Sequence, residues 1–239
     1  MRVNNISTFS YKSRANNYNS PTFSIQKDSF VKNPINFKGN TDKTIEWYDK
    51  NAVDYANQTR KLDIESVRNV FLENIPKGGT ILEVGSGSGR DTKHFLDNGY
   101  KVTAVDKSSE LAKQAEEYTG QKVIVDDVKN LNFKNKFDGV WDLACLVHSK
   151  SKEELHKTYN NLSKALKSGG YLYTTFKIGE GLEFKTDERG RSMVFMDQDS
   201  FKNLMKEHKE LKIEKIWFST DALGRASTSW CNYLLKKVK

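Results

Sequence analysis

The chain has 239 residues, of which 36% are hydrophobic and 29% charged, so one domain with a sizeable core is expected. Its net charge of +8 is unevenly placed: residues 1–40 hold six basic residues against one acid and carry +5, which leaves +3 for the other 199 residues. A nearly balanced folded part argues against nucleic-acid binding. No apolar run approaches the ~18 residues that span a membrane.

The two cysteines, Cys145 and Cys231, both lie in apolar runs. Two cysteines are too few for a zinc site, and we predict no metal. Their apolar surroundings favour reduced core thiols in an intracellular, cytoplasmic protein.

Residues 1–40 are rich in Asn and Ser and show no apolar period. Such a segment cannot bury enough surface to offset its ordering entropy, so we predict a disordered basic tail followed by one domain over 41–239. The segment lacks the continuous apolar stretch of a secretory signal. A transit peptide and an arm that touches nucleic acid remain as alternatives.

From residue 44 onward the sequence predicts alternating helices and strands. One amphipathic helix is expected over 44–59, and a second ends before Pro76. The later helices are expected near 92–96, 108–118, 151–166 and 199–208. The strands are expected over 81–84, 101–105, 122–125, 137–146, 171–176, 212–218 and 229–236. This alternation predicts a parallel sheet with helices on both faces, and the polar stretch 177–192 is expected to be a mobile loop over the site.

A glycine-rich turn follows the first strand, in the sequence Glu-Val-Gly-Ser-Gly-Ser-Gly-Arg-Asp from Glu83 to Asp91. A dinucleotide fingerprint needs glycine at its sixth position, which is Arg90 here, so a nicotinamide dehydrogenase is the least favoured interpretation. A phosphate loop would need Lys and Ser or Thr after the last glycine. The acidic Glu83 before the turn suits a ligand that carries an ammonium group.

The motif from Glu83 to Gly89 resembles the first motif of class I S-adenosylmethionine-dependent methyltransferases. Residues 47–236 as a whole resemble the tellurite-resistance branch of that superfamily. The resemblance implies a Rossmann-like, seven-stranded, mostly parallel sheet whose last two strands form a hairpin. It also implies S-adenosylmethionine as the cofactor and methyl transfer as the reaction.

Ligands of open α/β sheets lie beyond the carboxyl ends of the strands. Asp106 ends the second strand and is expected to accept the ribose hydroxyls, with a helix N-cap as the alternative role. The resemblance implies that Asp127 accepts from the adenine amino group, that the Val128 N–H reaches the ring, and that Glu83 lies near the methionine ammonium; a structural bond to the turn is the alternative for Glu83. The predicted cofactor residues are Glu83, Gly85, Ser86, Gly87, Gly89, Asp106, Lys107, Asp127, Val128, Tyr48 and Tyr55.

Tyr48 and Tyr55 lie on one face of the first predicted helix, which the family places across the cofactor. Either ring could face the sulfonium through a cation–π contact of ~1–2 kcal/mol. Plain core packing is the alternative for such a stripe.

Methyl transfer from a sulfonium needs mainly alignment, and a base only where the acceptor must first lose a proton. His148 follows the fourth strand where the acceptor would enter, and is a candidate base or a structural residue. Asp142 and Leu143 stand where the family more usually has small residues. Four residues match family positions around the mouth and could bind an anionic acceptor, or be solvated surface: Lys177, Arg191, Arg225 and Trp230.

The only prolines are Pro21, Pro34 and Pro76, all before the glycine turn. The Asn/Asp-Pro-Pro-aromatic motif of amino-group DNA and glutamine methyltransferases is therefore absent, as is the Pro-Cys nucleophile of cytosine C5 enzymes. We predict a small-molecule acceptor that is anionic or chalcogen-bearing. The alternatives are an RNA or protein methyltransferase docked by its basic tail, and a non-catalytic module that binds S-adenosylmethionine.

Overall fold

The computed structural model describes residues 30–31, 42–225 and 228–238. The predicted disordered tail therefore lies outside the described residues, apart from a two-residue strand, β1 (Phe30–Val31). Across the described residues, no helix has both the length and the apolar character needed to cross a bilayer.

Seven helices and nine further strands follow β1 in the described residues. The helices are α1 (Lys43–Lys50), α2 (Ala52–Thr59), α3 (Glu65–Leu72), α4 (Arg90–Asp97), α5 (Ser109–Thr119), α6 (Lys152–Ala165) and α7 (Gln198–Met205). The strands are β2 (Thr80–Val84), β3 (Lys101–Asp106), β4 (Val123–Val125), β5 (Phe137–Asp142), β6 (Leu166–Lys177), β7 (Leu182–Asp187), β8 (Ser192–Met196), β9 (Leu211–Thr220) and β10 (Ser229–Lys237).

The centre of the fold is a seven-stranded sheet in the order β4-β3-β2-β5-β6-β10-β9. Neighbours from β4 to β6 pair in parallel, while β10 runs antiparallel to both β6 and β9. Two apolar cores flank this sheet, one contributed by α6 and α7 and the other by α3 and α4. The predicted Rossmann-like architecture with a terminal hairpin is confirmed.

The prediction of a mobile loop over 177–192 is wrong. Strands β7 and β8 form an antiparallel hairpin there, β1 pairs with the outer edge of β7, and β8 meets β6 at Lys177 and Phe195. Apolar and polar residues alternate through β7, which is a strand pattern, but the charged residues and nearby glycines suggested a loop. The carboxylate of Asp187 closes the turn by accepting the Arg189 and Arg191 N–H groups.

Two element boundaries also differ from prediction. The fourth predicted strand ends at Asp142 rather than residue 146, because its carboxylate accepts the N–H groups of Cys145 and Leu146 and turns the chain into a 3-10 turn at Leu146–His148. The single helix expected over 44–59 is two helices, α1 and α2. The break is at Asn51, whose side chain donates to the Trp47 carbonyl.

Candidate cofactor and acceptor site

A cleft with a cavity volume of about 120 Å³ opens at the carboxyl ends of β2, β3, β4 and β5. Its lining includes Thr44, Ile45, Tyr48, Tyr55, Gly85, Gly87, Asp106, Lys107, Asp127, Val128, Ala144, Cys145 and His148. The structure thus places most of the predicted cofactor residues around one cavity.

The three glycines of the turn have different roles. At Gly85 (φ +68) a Cβ would lie 2.6 Å from the Cys145 Cβ, and at Gly89 (φ +76) one would lie 2.9 Å from Thr119. These two glycines let other parts of the chain pack against the turn. Gly87 (φ +55) has as its nearest neighbour the Tyr55 ring, 3.6 Å from a hypothetical Cβ, so its bare backbone faces the cleft. Ser86 is buried, and its hydroxyl has no hydrogen-bond partner among the described residues.

Asp106 lies against the glycine turn. One carboxylate oxygen accepts the Gly87 N–H at 2.7 Å and the other accepts the Ser108 N–H at 2.8 Å. Burial raises the pKa of Asp106 to about 6, although both backbone bonds oppose the rise. The N-cap of α5 is Ser108, whose hydroxyl accepts from Leu111, so the alternative role for Asp106 is filled by its neighbour.

Glu83 lies beneath the turn and outside the cleft lining, as far as the described residues define it. Its carboxylate accepts from the Thr92 hydroxyl in α4. Burial, and then the nearby charge of Asp91, raise the pKa of Glu83 well above its usual value. The bond is structural, but it goes to α4 and not to the glycine turn, which was the alternative given for Glu83; its role toward the methionine ammonium stays a prediction.

Arg90, which stands where a dinucleotide fingerprint needs glycine, forms an ion pair with Asp91. The Asp91 carboxylate is buried and binds Arg90 at 2.7 Å, Arg68 at 2.8 Å and the Trp141 indole at 3.2 Å. Burial alone would raise the pKa of Asp91, but the two guanidinium groups hold it below its usual value. Arg90 also donates to the Thr59 carbonyl, which ties α4 to α2.

Lys107 and Asp127 form an ion pair at the rim of the cleft. The Lys107 ammonium lies 2.8 Å from Asp127 and 2.6 Å from Asp42, and Asp127 also pairs with Lys129 at 3.1 Å. Burial acts to raise the pKa of Asp127, but its bonds to Lys107 and Lys129 keep that pKa below the usual value. Asp127 caps the 3-10 turn that begins at Val128, which holds both residues at the end of β4.

Tyr48, His148 and Arg191 form a hydrogen-bonded chain on the opposite wall. The Tyr48 hydroxyl lies 2.8 Å from His148 Nε2, and Arg191 donates to the same hydroxyl at 3.2 Å. His148 Nδ1 lies 2.7 Å from the Ser192 carbonyl, and the Arg191 guanidinium binds Asp187 at 2.6 Å. Burial, and then the charge of Arg191, lower the pKa of His148 to about 4, which makes it a weak base at neutral pH.

Arg191 and the other predicted acceptor residues, Lys177, Arg225 and Trp230, all lie outside the lining that the described residues give the cleft. Lys177 is buried, with its ammonium 5.6 Å from the centre of the Phe195 ring. Arg225 binds Asp221 at 2.6 Å, and the Trp230 indole donates to Asp221 at 3.0 Å. Their role toward an acceptor stays a prediction.

Sequence reasoning missed the residues that fix α1 and α2 across the cleft. Arg60 donates to the Ser88 carbonyl at 3.0 Å and to the Gln114 carbonyl at 2.6 Å. Asp49 accepts the Ser108 hydroxyl at 2.5 Å. These partners are far away in the sequence and no local pattern marks them.

The residues present fit S-adenosylmethionine. The cleft offers bare backbone at Gly87, a carboxylate on each of two adjacent strand ends and two tyrosine rings, Tyr48 and Tyr55. A sulfonium ligand without phosphate suits carboxylates and aromatic faces, and needs no lysine in the glycine turn.

Comparisons with known proteins agree with this fit. Residues 82–174 match the family described as a methyltransferase domain. The chain is 31% identical over 46% of its length to a tRNA (carboxymethyluridine(34)-5-O)-methyltransferase of Arabidopsis thaliana, of which it covers 27%. It is 34% identical over 42% of its length to 2-methyl-6-phytyl-1,4-hydroquinone methyltransferase of Synechocystis sp., of which it covers 33%. The chain thus spans only 27% and 33% of the length of these two relatives.

A solved structure extends the likeness to nearly the whole fold. The 1,6-didemethyltoxoflavin-N1-methyltransferase of Burkholderia thailandensis, determined with 1,6-didemethyltoxoflavin and S-adenosylhomocysteine bound, superposes with a TM-score of 0.72 at 15% identity. The match covers 92% of this chain and 99% of that one. The comparisons thus show a methyltransferase-domain match over residues 82–174 and a fold shared with this solved methyltransferase.

Proposed function

We propose that this protein transfers a methyl group from S-adenosylmethionine to a small-molecule acceptor that is anionic or chalcogen-bearing. The observation that carries the proposal is the placement of Asp106 against Gly87, with Asp127 on the adjacent strand end, around one cleft. The resemblance to the tellurite-resistance branch supports the chalcogen-bearing class. A cytoplasmic location is part of the same proposal and rests on the two free cysteines.

The cofactor, when bound, supplies an electrophilic methyl group on sulfur. Asp106 would hold the ribose hydroxyls, and Asp127 with the Val128 N–H would hold the adenine edge. Tyr48 and Tyr55 line the wall that the sulfonium would face. The protein then needs mainly to align the acceptor, since proximity alone can supply roughly 7–11 kcal/mol of the barrier.

Positive charge near Tyr55 supports an anionic acceptor. Burial raises the pKa of the Tyr55 hydroxyl; the charges of Arg90, Arg191 and Arg225 oppose that rise, and the charge of Asp106 adds to it. Each of the three arginines is paired with a carboxylate, which reduces the positive field at the cleft.

An acceptor screen that measures S-adenosylhomocysteine release tests the proposal. Chalcogen oxyanions, thiolates and carboxylates should be methylated faster than neutral amines or alcohols of similar size. A strong preference for neutral acceptors would contradict the anionic class. Binding of S-adenosylmethionine without release of product from any acceptor would instead indicate a non-catalytic module.

RNA is the second candidate acceptor, and the +5 charge of residues 1–40 favours it, as does the likeness to a tRNA methyltransferase. An RNA-docked enzyme would lose affinity steeply as salt rises, and deletion of residues 1–40 would abolish binding. Salt-independent turnover of a small molecule by the shortened chain would exclude this role for the tail.

A further inference from the structure

A hydrogen-bonded chain of five residues links the helix over the cleft to the β7–β8 hairpin. Asp187 accepts two bonds from the Arg191 guanidinium, at 2.6 and 2.8 Å, and Arg191 donates to the Tyr48 hydroxyl at 3.2 Å. Tyr48 bonds to His148 Nε2, and His148 Nδ1 bonds to the carbonyl of Ser192.

The direction of each hydrogen bond in this network follows once His148 is neutral, as its lowered pKa of about 4 implies at neutral pH. The Ser192 carbonyl can only accept, so neutral His148 carries its proton on Nδ1 and accepts at Nε2. The Tyr48 hydroxyl therefore donates to Nε2, which leaves its oxygen to accept from Arg191, a residue that can only donate. His148 has no lone pair left for a substrate proton while the chain is intact.

Arg191 is directed at Tyr48 rather than at solvent. Its side chain is only 7% exposed, its charge is paired with Asp187, and the Trp47 ring lies 4.6 Å from the guanidinium carbon. The backbone N–H of Ser192 also donates to the Thr44 hydroxyl. The hairpin is therefore hydrogen-bonded to two successive turns of α1, at Thr44 and at Tyr48. Within the part of the chain that the structure describes, Arg191 is outside the cleft lining, and its hydrogen bond to a lining residue is the one to Tyr48.

We propose that Arg191 and His148 are positioning residues, which hold Tyr48, and with it α1, against the cofactor cleft rather than binding or deprotonating the acceptor. This inference rests on the proposed function, which makes the cleft a cofactor site. The hydrogen bonds between these five residues can nevertheless be observed without any ligand. It assigns the β7–β8 hairpin a role as the support of the cofactor-facing tyrosine.

The protonation state of His148 reports directly on the chain. The charged groups that face it are Arg191 and Lys177, which lower its pKa, and Asp187, which raises it. In the native protein, nitrogen-15 NMR of the four histidines should show His148 neutral and protonated on Nδ1 from pH 5 to 8. Its signals are assigned by their loss in His148→Gln.

Arg191→Met removes the cation and leaves the negative charge of Asp187, so the pKa of His148 should rise by about one unit or more. Tyr48→Phe removes the bond to Nε2 and should raise the same pKa by less. Both variants should bind S-adenosylmethionine about tenfold more weakly. Arg189→Met is the control for a hairpin arginine that contacts α1 without joining the network: its guanidinium carbon lies 5.1 Å from the centre of the Trp47 ring, and its loss should leave the His148 pKa unchanged.

A native His148 that titrates near 6.5, or that carries its proton on Nε2, would overturn the inference without the need for any variant. So would an Arg191→Met protein that keeps the native His148 titration and cofactor affinity but raises the acceptor KM, since Arg191 would then bind the acceptor directly. If the native protein ignores S-adenosylmethionine while His148 behaves as described, the proposed function fails and the hydrogen-bonded chain stands.

Discussion

The two walls of the cleft are built in different ways. On the wall formed by β2, β3 and β4, Asp106 binds backbone N–H groups only 2 and 19 residues away. On the wall formed by α1 and the β7–β8 hairpin, side chains bind side chains: Tyr48 meets His148 across 100 residues and Arg191 across 143. The first wall depends on backbone shape and the second on a long-range network of side chains.

Because the first wall depends on backbone shape, a Cβ added to one of its glycines should disrupt it. Gly85→Ala would place its Cβ 2.6 Å from the Cys145 Cβ in a backbone with φ +68. We expect a loss of about 3–5 kcal/mol in the free energy of unfolding, from steric overlap and left-handed strain together, and no measurable cofactor binding. Denaturant unfolding and calorimetry measure the two effects.

The matched control is Gly99→Ala, which has φ +82 and nothing within 4 Å of its Cβ. It carries the strain without the overlap and should cost about 1–2 kcal/mol, with cofactor affinity unchanged. Equal losses in the two variants would show that the contact with Cys145 does not matter.

A second test of the same wall removes a carboxylate. Asp106→Ala should weaken S-adenosylmethionine binding about 100-fold, because charge-assisted hydrogen bonds contribute about 1.5–3 kcal/mol each. Asp126→Ala removes a second acid that lines the same cleft, whose carboxylate accepts the Asp127 N–H, and should change affinity less than threefold. Similar losses in both would argue for a general field effect rather than a bond from Asp106.

Asp142 ends β5 just before the 3-10 turn that carries His148, and its titration can be tested through the pH dependence of stability. Its buried carboxylate accepts the Cys145 and Leu146 N–H groups and the Thr174 hydroxyl, and burial raises its pKa to about 6. Between about pH 4 and 6 the folded state keeps this proton while the unfolded state releases it. The group therefore lowers the free energy of unfolding as pH rises through that window, by about 2–3 kcal/mol.

Asp142→Asn keeps an oxygen for the backbone bonds and cannot ionise. Relative to the native protein, its free energy of unfolding should gain about 2–3 kcal/mol from pH 4 to pH 7, measured by guanidinium chloride unfolding. The raised pKa of Asp106 remains in both proteins and cancels in the difference. Parallel pH profiles for the two proteins would contradict the assignment.

The smallest effect is expected at the exposed rim. Lys107 is about a third exposed and pairs with Asp42 and Asp127, and such pairs contribute about 0–1 kcal/mol. Lys107→Met should change stability by less than about 1 kcal/mol and make cofactor affinity less sensitive to salt. A tenfold loss of affinity at high salt would show that Lys107 contacts the ligand.

The sequence allowed prediction of the parts of the fold whose signals are local. The glycine turn, the strand that ends at Asp106 and the terminal hairpin follow from apolar runs, turn residues and a family motif. The β7–β8 hairpin does not follow from the sequence, because its apolar residues are interleaved with charges. The end of β5 at Asp142 does not follow either, because a carboxylate that caps a turn leaves no sequence period.

In the site, as in the fold, the features with a local sequence signal could be predicted and the long-range contacts could not. The residues of the first wall lie next to strand ends, so strand order alone brings Asp106 and Asp127 together. The bonds between Tyr48, His148 and Arg191 join separate elements, and sequence could name the three residues but not their contact. Glu83 lies beneath the turn because Thr92, one turn into α4, supplies a hydroxyl that no motif specifies.

Calorimetric titration of the native protein with S-adenosylmethionine, and with NAD as the comparison, tests the central claim most directly. We predict one site per chain with a micromolar dissociation constant for S-adenosylmethionine and no heat of binding for NAD. Absence of S-adenosylmethionine binding at millimolar concentration, or tighter binding of NAD, would contradict the account.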